Sequence, residues 1–456
     1  MPSRILNYMI KKNDDIILKI EDMTSEGSAV GHYDGMAVFV FGAVTGDEIL
    51  AHIIKVSKKY CIATVKEIIK KSEYRIESDC PVSSSCGGCS FRNMTYEAEL
   101  DFKSNRVKNA VLRIAHLDVP VRDIIGADRT EHYRNKAQYP VVIENGELAC
   151  GFYAYKSHRI VKNNSCALQC RDFDDCIDAF SDWVKKAKIT SYDEKSGKGL
   201  LRHIYLRKAF ETGEIMACAV INGDSVPEKD YLIGRLSAVS GVKSICININ
   251  KSSGNVVLGD TTETIWGSDT ICDALLGKKF EISPNSFYQV NHDQCEKLYK
   301  KAREYAALTG CETLVDLYCG AGTIGITMAD GAKQLFGIEI VPQAIENAKR
   351  NAEINSITNA EFFCGDAADG AKELERRGIS ADVVILDPPR KGCSEELIAT
   401  VCRMSPKRIV YVSCDSATLA RDLAIFNESG YSALEITPVD MFPRTPHVEC
   451  VALIVK

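Results

Sequence analysis

Residues 313–325 read TLVDLYCGAGTIG, an apolar run that ends in Cys319-Gly320-Ala321-Gly322-Thr323-Ile324-Gly325. The run satisfies G-x-G-x-x-G where a strand should turn into a helix, the setting in which glycines let backbone amides approach a ligand closely. Working outward, QLFGIEI, AEFFCGDA, ADVVILDPP and RIVYVSC follow at helix-length intervals, before two final strands. Continuous apolar strands separated by helices predict a doubly wound, mostly parallel α/β sheet over 278–456. Ligands on such sheets bind beyond the carboxyl ends of the strands.

The glycine motif by itself also fits a nicotinamide cofactor or a plain tight turn. Three carboxylates narrow the choice: Asp316 lies four residues before Gly320, Glu339 ends the second apolar run, and Asp387-Pro388-Pro389-Arg390 ends the fourth. A carboxylate on the second strand suits ribose hydroxyls. The D-P-P-R resembles the strand-four motif of methyltransferases that use S-adenosylmethionine, which implies a Rossmann-like class I methyltransferase domain. The fifth run ends in Tyr411-Val412-Ser413-Cys414-Asp415, and FPRTPHVE at 442–449 puts Glu449 at the start of the last strand. A lone cysteine ending a strand is more often a small buried hydrophobe, and a lone glutamate a surface residue. Together at one crevice they make a thiol and a base.

In this order and spacing, DLYCGAGTIG, DPPR, VSCDSATLARDL and FPRTPHVEC resemble the RNA uracil-5-methyltransferase family, in particular its 23S ribosomal-RNA branch. The resemblance extends over almost the whole chain. Uracil C5 accepts a methyl group only after a thiolate has added at C6, and the C5 proton must then leave before the thiol can be eliminated. The resemblance implies Cys414 as that nucleophile and Glu449 as the proton acceptor. It implies S-adenosylmethionine contacts from Gln289 in SFYQVN, Tyr318, Glu339, Asp366 and Asp387, with Gln289 and Asp387 also candidates to face the uracil. The family commonly has Asn-Pro after the nucleophile, where this chain has Asp415-Ser416. A carboxylate pointing at the thiol would disfavour the thiolate, so the Asp415 side chain is expected to turn away.

Upstream, residues 8–68 alternate apolar and polar residues, with glycines at 27, 31, 35, 42 and 46 where the chain must turn. This predicts a small β-barrel of about five strands, which resembles the OB-like TRAM module that binds RNA in this family. Residues 69–277 are assigned to a central α+β domain, with a helix over 95–115 that could pack on the C-terminal domain. Cys80, Cys86 and Cys89 form C-x5-C-x2-C, for which Cys166 and Cys170 are the nearest fourth ligands. Spacing does not separate zinc from an iron–sulfur cluster. The resemblance implies a 4Fe-4S cluster on Cys80, Cys86, Cys89 and Cys166, pinning a loop rather than moving electrons.

The chain has 456 residues, 45% hydrophobic and 26% charged, which predicts about three globular domains. No apolar run approaches the ~20 residues of a membrane helix, and MPSRILNYMIKKNDD lacks a secretory apolar stretch, so a cytoplasmic location is expected. The 19 cysteines are then thiols, ligands or nucleophiles rather than disulfides. A net charge of −6 gives no global basic field. Residues 53–71 nevertheless hold Lys55, Lys58, Lys59, Lys66, Lys70 and Lys71 against Glu67 alone, either a phosphate-binding patch or a solvated face. The expected partner is a single-stranded or loop uridine of ribosomal RNA, with no DNA or membrane and the chain a monomer. A transfer-RNA uridine, or a non-catalytic RNA-binding or assembly role, are the alternatives.

Overall fold

Alternating apolar residues along 15–70 form six strand spans: β1 (Asp15–Lys19), β2 (Asp22–Met23), β3 (Ala29–Tyr33), β4 (Met36–Phe41), β5 (Glu48–Val56) and β6 (Tyr60–Lys70). The computed structural model describes residues 10–456, so the first two residues of the predicted barrel, 8 and 9, lie outside the described residues. The sheet order is β1-β5-β6-β4-β3-β2. One more span appears than the sequence predicts because the first strand bends. Ile20 N donates to Asp47 O at 2.8 Å, on the β5 side, while Glu21 N donates to Val30 O at 2.9 Å, in β3. β1 and β2 are thus two arms of one strand that pairs with both ends of the sheet and closes it, as barrels require. Inward residues such as Leu18, Val38, Ile49 and Ala63 fill the interior.

This barrel belongs to one compact unit, the described residues through Arg106 together with Arg444–His447. The unit includes most of helix α1 (Tyr96–Ala110). Within it Glu99, fully buried, accepts from Lys103 Nζ at 2.6 Å and from Arg444 N at 2.8 Å.

The second unit comprises Val107–Pro443 and Val448–Lys456. Its first sheet contains β7 (Lys136–Glu144), β8 (Glu147–Tyr153), β9 (Ile160–Lys162), β10 (Leu201–Lys208), β11 (Ile215–Ile221), β12 (Val242–Ile249) and β13 (Thr261–Gly267). The order is β13-β12-β11-β10-β7-β8-β9. β11 reads IMACAVI without alternation because both its faces are covered. Ala217 and Ala219 pack with Phe173 and Trp183 of α2 (Asp172–Ala187), while Met216, Cys218 and Val220 join the core of the second sheet. Helix α3 (Lys229–Ser237) links β11 to β12, and the hairpin β14 (Ile271–Leu275) and β15 (Lys278–Ile282) leads to α4 (His292–Ala306).

The second sheet is the predicted alternation. It runs β16 (Thr313–Leu317), α5 (Thr323–Met328), β17 (Gln334–Glu339), α6 (Pro342–Ile354), β18 (Ala360–Cys364), α7 (Ala367–Arg376), β19 (Val383–Leu386), α8 (Glu395–Met404), β20 (Arg408–Ser413), α9 (Ser416–Glu428), β21 (Ser432–Val439) and β22 (Glu449–Val455). The order is β18-β17-β16-β19-β20-β22-β21. The first five strands are parallel, and β22 is antiparallel to β20. The strand order reverses at β16, which places a crevice at its carboxyl end.

Candidate active site

The glycine loop leaves β16 through Tyr318, a bulky residue held at φ +68°, a conformation that costs on the order of 1–3 kcal/mol and clusters at functional sites. Asp316 Oδ2 accepts from Gly325 N at 2.9 Å, and a Cβ on Gly325 would lie 2.8 Å from that oxygen. Glycine is therefore required there. Glu339, ending β17, accepts from Gly320 N at 3.2 Å and from Val341 N at 2.9 Å, so it braces the loop from the neighbouring strand. A Cβ on Gly320 would meet no atom within 4 Å, and the loop presents open backbone at that point. Asp316 Oδ1 is buried without a hydrogen-bond partner. Burial, with Asp387 and Glu339 nearby, pushes the Asp316 carboxyl up to about 8.

Register brings the other predicted residues to the same edge. One step beyond the paired Leu317, Ile338 and Leu386 stand Tyr318, Glu339 and Asp387. Asp366 caps α7, accepting from Ala368 N at 2.9 Å, and its charge, after burial and Cys393, helps raise the Tyr318 phenol. Gln289 is buried in the segment before α4, held by Asn135 Nδ2 donating to its carbonyl at 2.9 Å. Burial pushes up the thiol of Cys295 and the phenol of Tyr299 in α4, and both also feel the Asp387 carboxylate.

Cys414 follows β20 directly. Ser413 pairs with Cys450 across the antiparallel β20–β22 ladder, so the next step sets Cys414 opposite Glu449. Burial, then Glu449 and Asp387, push the Cys414 thiol up to about 11, while Arg390 pulls it down. Glu449 is buried, and that burial, with Asp387, lifts its carboxyl to about 8. Burial alone lifts Asp387 to about 7. Asp415 turns from the thiol as expected: Oδ1 accepts from Ala417 N and Thr418 N, both at 2.9 Å. It is the N-cap of α9, and the helix N-terminus favours a thiolate beside it.

A brace that the sequence reading missed fixes the D-P-P-R turn. Asp422 in α9, fully buried, accepts from Tyr411 Oη at 2.6 Å and from Cys393 N at 2.8 Å. Arg421 donates to Lys391 O at 2.8 Å. Gly392 at φ +73° passes so close that a Cβ would lie 2.6 Å from Asp422 Oδ2.

A family model described as tRNA (uracil-5-)-methyltransferase matches residues 275–456. The chain is 44% identical to an uncharacterized RNA methyltransferase of Clostridium tetani over 97% of both chains. It is 45% identical to one of Clostridium acetobutylicum over 98% of both. The chain belongs to the RNA uracil-5-methyltransferase family. The crystal structure of Pyrococcus abyssi tRNA (uracil-54, C5)-methyltransferase with S-adenosyl-L-homocysteine superposes with TM-score 0.78 at 28% identity, covering 96% of this chain and 100% of that one. This member is accordingly an S-adenosylmethionine-dependent RNA methyltransferase. The fit is visible in its own residues: a glycine loop with open backbone, a carboxylate on the second strand, and an unsatisfied buried oxygen on Asp316.

The cysteine cluster fares differently. Cys80, Cys86 and Cys89 belong to the first unit and Cys166 to the second, and Cys80 helps raise the Cys86 thiol after burial does. Among the described residues no group of three or more His, Cys, Asp or Glu is arranged to hold a metal. No described helix is long and apolar enough to cross a membrane. Of the lysine patch, Lys55, Lys58 and Lys59 are exposed, but Lys66 is ion-paired with Asp15 at 2.5 Å.

Proposed function

We propose that this enzyme methylates C5 of a uridine in large-subunit (23S) ribosomal RNA in the cytoplasm, with Cys414 as nucleophile and Glu449 as base. The observation that carries the reading is the opposition of a thiol and a buried carboxyl at the end of β20 and the start of β22. The Cys414 thiol, held near 11, must lose its proton to attack, and Arg390 with the α9 N-terminus favours the thiolate. Its sulfur bonds to C6, and the ring electrons move to C5 and O4. Gln289, Tyr318, Glu339, Asp366 and Asp387 would hold S-adenosylmethionine, which when bound supplies the methyl group for C5. Glu449, poised near 8, is a stronger base than an ordinary carboxylate and takes the C5 proton. The C–H electrons then restore the C5–C6 double bond and expel the Cys414 thiolate.

A transfer-RNA uridine is the second reading, favoured by the Pyrococcus abyssi enzyme, whose match covers 96% of this chain and so includes most of the barrel. Cys80, Cys86, Cys89 and Cys166 enter the proposal as 4Fe-4S ligands on the family resemblance alone, with zinc as the alternative metal. No step runs through them. Iron content of anaerobically purified protein tests that assignment. The main test supplies labelled S-adenosylmethionine with unmodified 23S fragments and transfer-RNA transcripts. Label at uridine C5 in the ribosomal fragment is expected. Label only in transfer RNA moves the target, and label on nitrogen or ribose oxygen overturns the chemistry.

A further inference from the structure

The β7–β10 register places Lys136 directly opposite Arg207, on the sheet face away from the core residues Ala137 and Tyr139. Like charges opposite one another across an antiparallel pair are destabilising. Arg207 is fully buried. Its Nη1 donates to Ser286 O at 2.7 Å, Ser283 O at 3.2 Å and Tyr205 Oη at 3.3 Å, while Nε and Nη2 have no partner. The Asp273 carboxylate beyond Tyr288 is taken up by Phe210 N, Glu211 N and Tyr288 Oη. Lys136, half-buried, has no side-chain hydrogen bond or ion pair among the described residues. Burial, then Arg207 and Arg134, hold its ammonium down at about 8. Gln138, next on the same face of β7, is exposed, so this face opens to solvent beside the cation pair.

Two adjacent cations without a counter-charge cost the free protein stability, and an arriving anion would recover it. We propose that Lys136, backed by Arg207, receives a backbone phosphate of the RNA substrate. Arg207 also holds the Ser283–Ser286 turn that precedes Gln289, so the phosphate subsite and the segment leading to the active site share one anchor. The inference rests on RNA as the ligand and not on which uridine is methylated.

The test is fluorescence anisotropy of the full chain with a labelled single-stranded, uridine-containing RNA across a salt series. Loss of one phosphate contact should lower the log–log salt slope by about 0.7, weakening binding about fourfold at 0.15 M salt and about eightfold at 0.05 M. Lys136→Met should show this loss and Lys136→Arg should restore it. Without RNA, Lys136→Met should melt no lower than the parent, because a repulsion has been removed. A Lys136→Met protein with the parental slope, a lower melting temperature, or no rescue by Lys136→Arg would overturn the proposal. If the parent methylates only transfer RNA while the slope change persists, the subsite stands and the ribosomal reading falls.

Discussion

In the barrel, the buried carboxylate of Asp47 is clasped on every side: Arg75 reaches it at 2.6–3.0 Å, and Val44 N and Ser72 N donate to it at 2.8 and 3.0 Å. At the carboxyl edge of the second sheet, Asp316, Asp387 and Glu449 crowd together with Arg390 as the cation felt by Glu449 and Cys414. The first arrangement satisfies an acid and spends it on the fold. The second leaves acids near 7–8, where they can exchange protons at the pH of the cell.

The largest effects are expected at the proposed catalytic pair, Cys414 and Glu449. Cys414→Ala should bind RNA and cofactor but transfer no methyl group. Glu449→Gln should lower turnover by about 10²–10⁴-fold and accumulate a methylated protein–RNA adduct, seen as an RNase-sensitive slow band on denaturing electrophoresis with labelled cofactor. Normal turnover by Glu449→Gln would remove Glu449 from its role.

Next in size is Asp47→Ala, which strands Arg75 in the barrel and should cost about 3–5 kcal/mol in denaturant unfolding followed by a barrel probe. A change well below 1 kcal/mol would mean that Arg75 finds other partners and the contrast is false.

An effect of similar or smaller size should follow pH. Asp316 and Glu449 keep protons in the folded state up to about 8, whereas the unfolded chain loses them near 4. Their contribution to stability is therefore fully present below the ordinary carboxylate range and is lost as pH rises through about 8, at up to ~1.4 kcal/mol per pH unit for each group. Asp316→Asn should flatten that fall in thermal melts between pH 5 and 8. Activity should run the opposite way, with kcat/KM rising through pH 7–8 as Asp387 and Glu449 ionise together. A profile that falls over that range would contradict the base assignment.

The smallest effect belongs to the barrel surface. Charge reversal at Lys55, Lys58 or Lys59 should each lower the RNA salt slope by about 0.7 if these lysines meet phosphates. Lys66→Glu should do less, since Asp15 already occupies its ammonium. Unchanged slopes for all four would leave the patch a solvated face.

The placement of the crevice residues at one sheet edge was legible because a glycine turn and a strand end are both marked within short spans of chain. Close approach of backbone to ligand demands glycines at fixed spacing, and strand ends deliver Glu339, Asp387 and Cys414 within a few residues of recognisable apolar runs. What stayed hidden depends on partners far apart in sequence. The Asp422 brace joins α9 to a turn 29 residues upstream, and Asp47 meets an arginine 28 residues on. Neither has a local pattern. The bend at Ile20-Glu21 was invisible for another reason: a strand that switches partners keeps its alternation, so the sequence shows one strand where the sheet has two arms.

Residues 444–447 lie late in the chain yet belong to the first unit, where Arg106 Nη1 donates to Pro446 O across 340 positions at 2.8 Å. On the ribosome the barrel's residues emerge well before Arg444–His447, so the unit that contains them lacks this segment until synthesis has passed residue 447. At roughly 5–20 residues per second, that wait is on the order of twenty seconds to a minute. Nascent chains stalled before residue 444 should carry an N-terminal region more open to protease than the released protein, and an N-terminal fragment alone should not reproduce the finished unit.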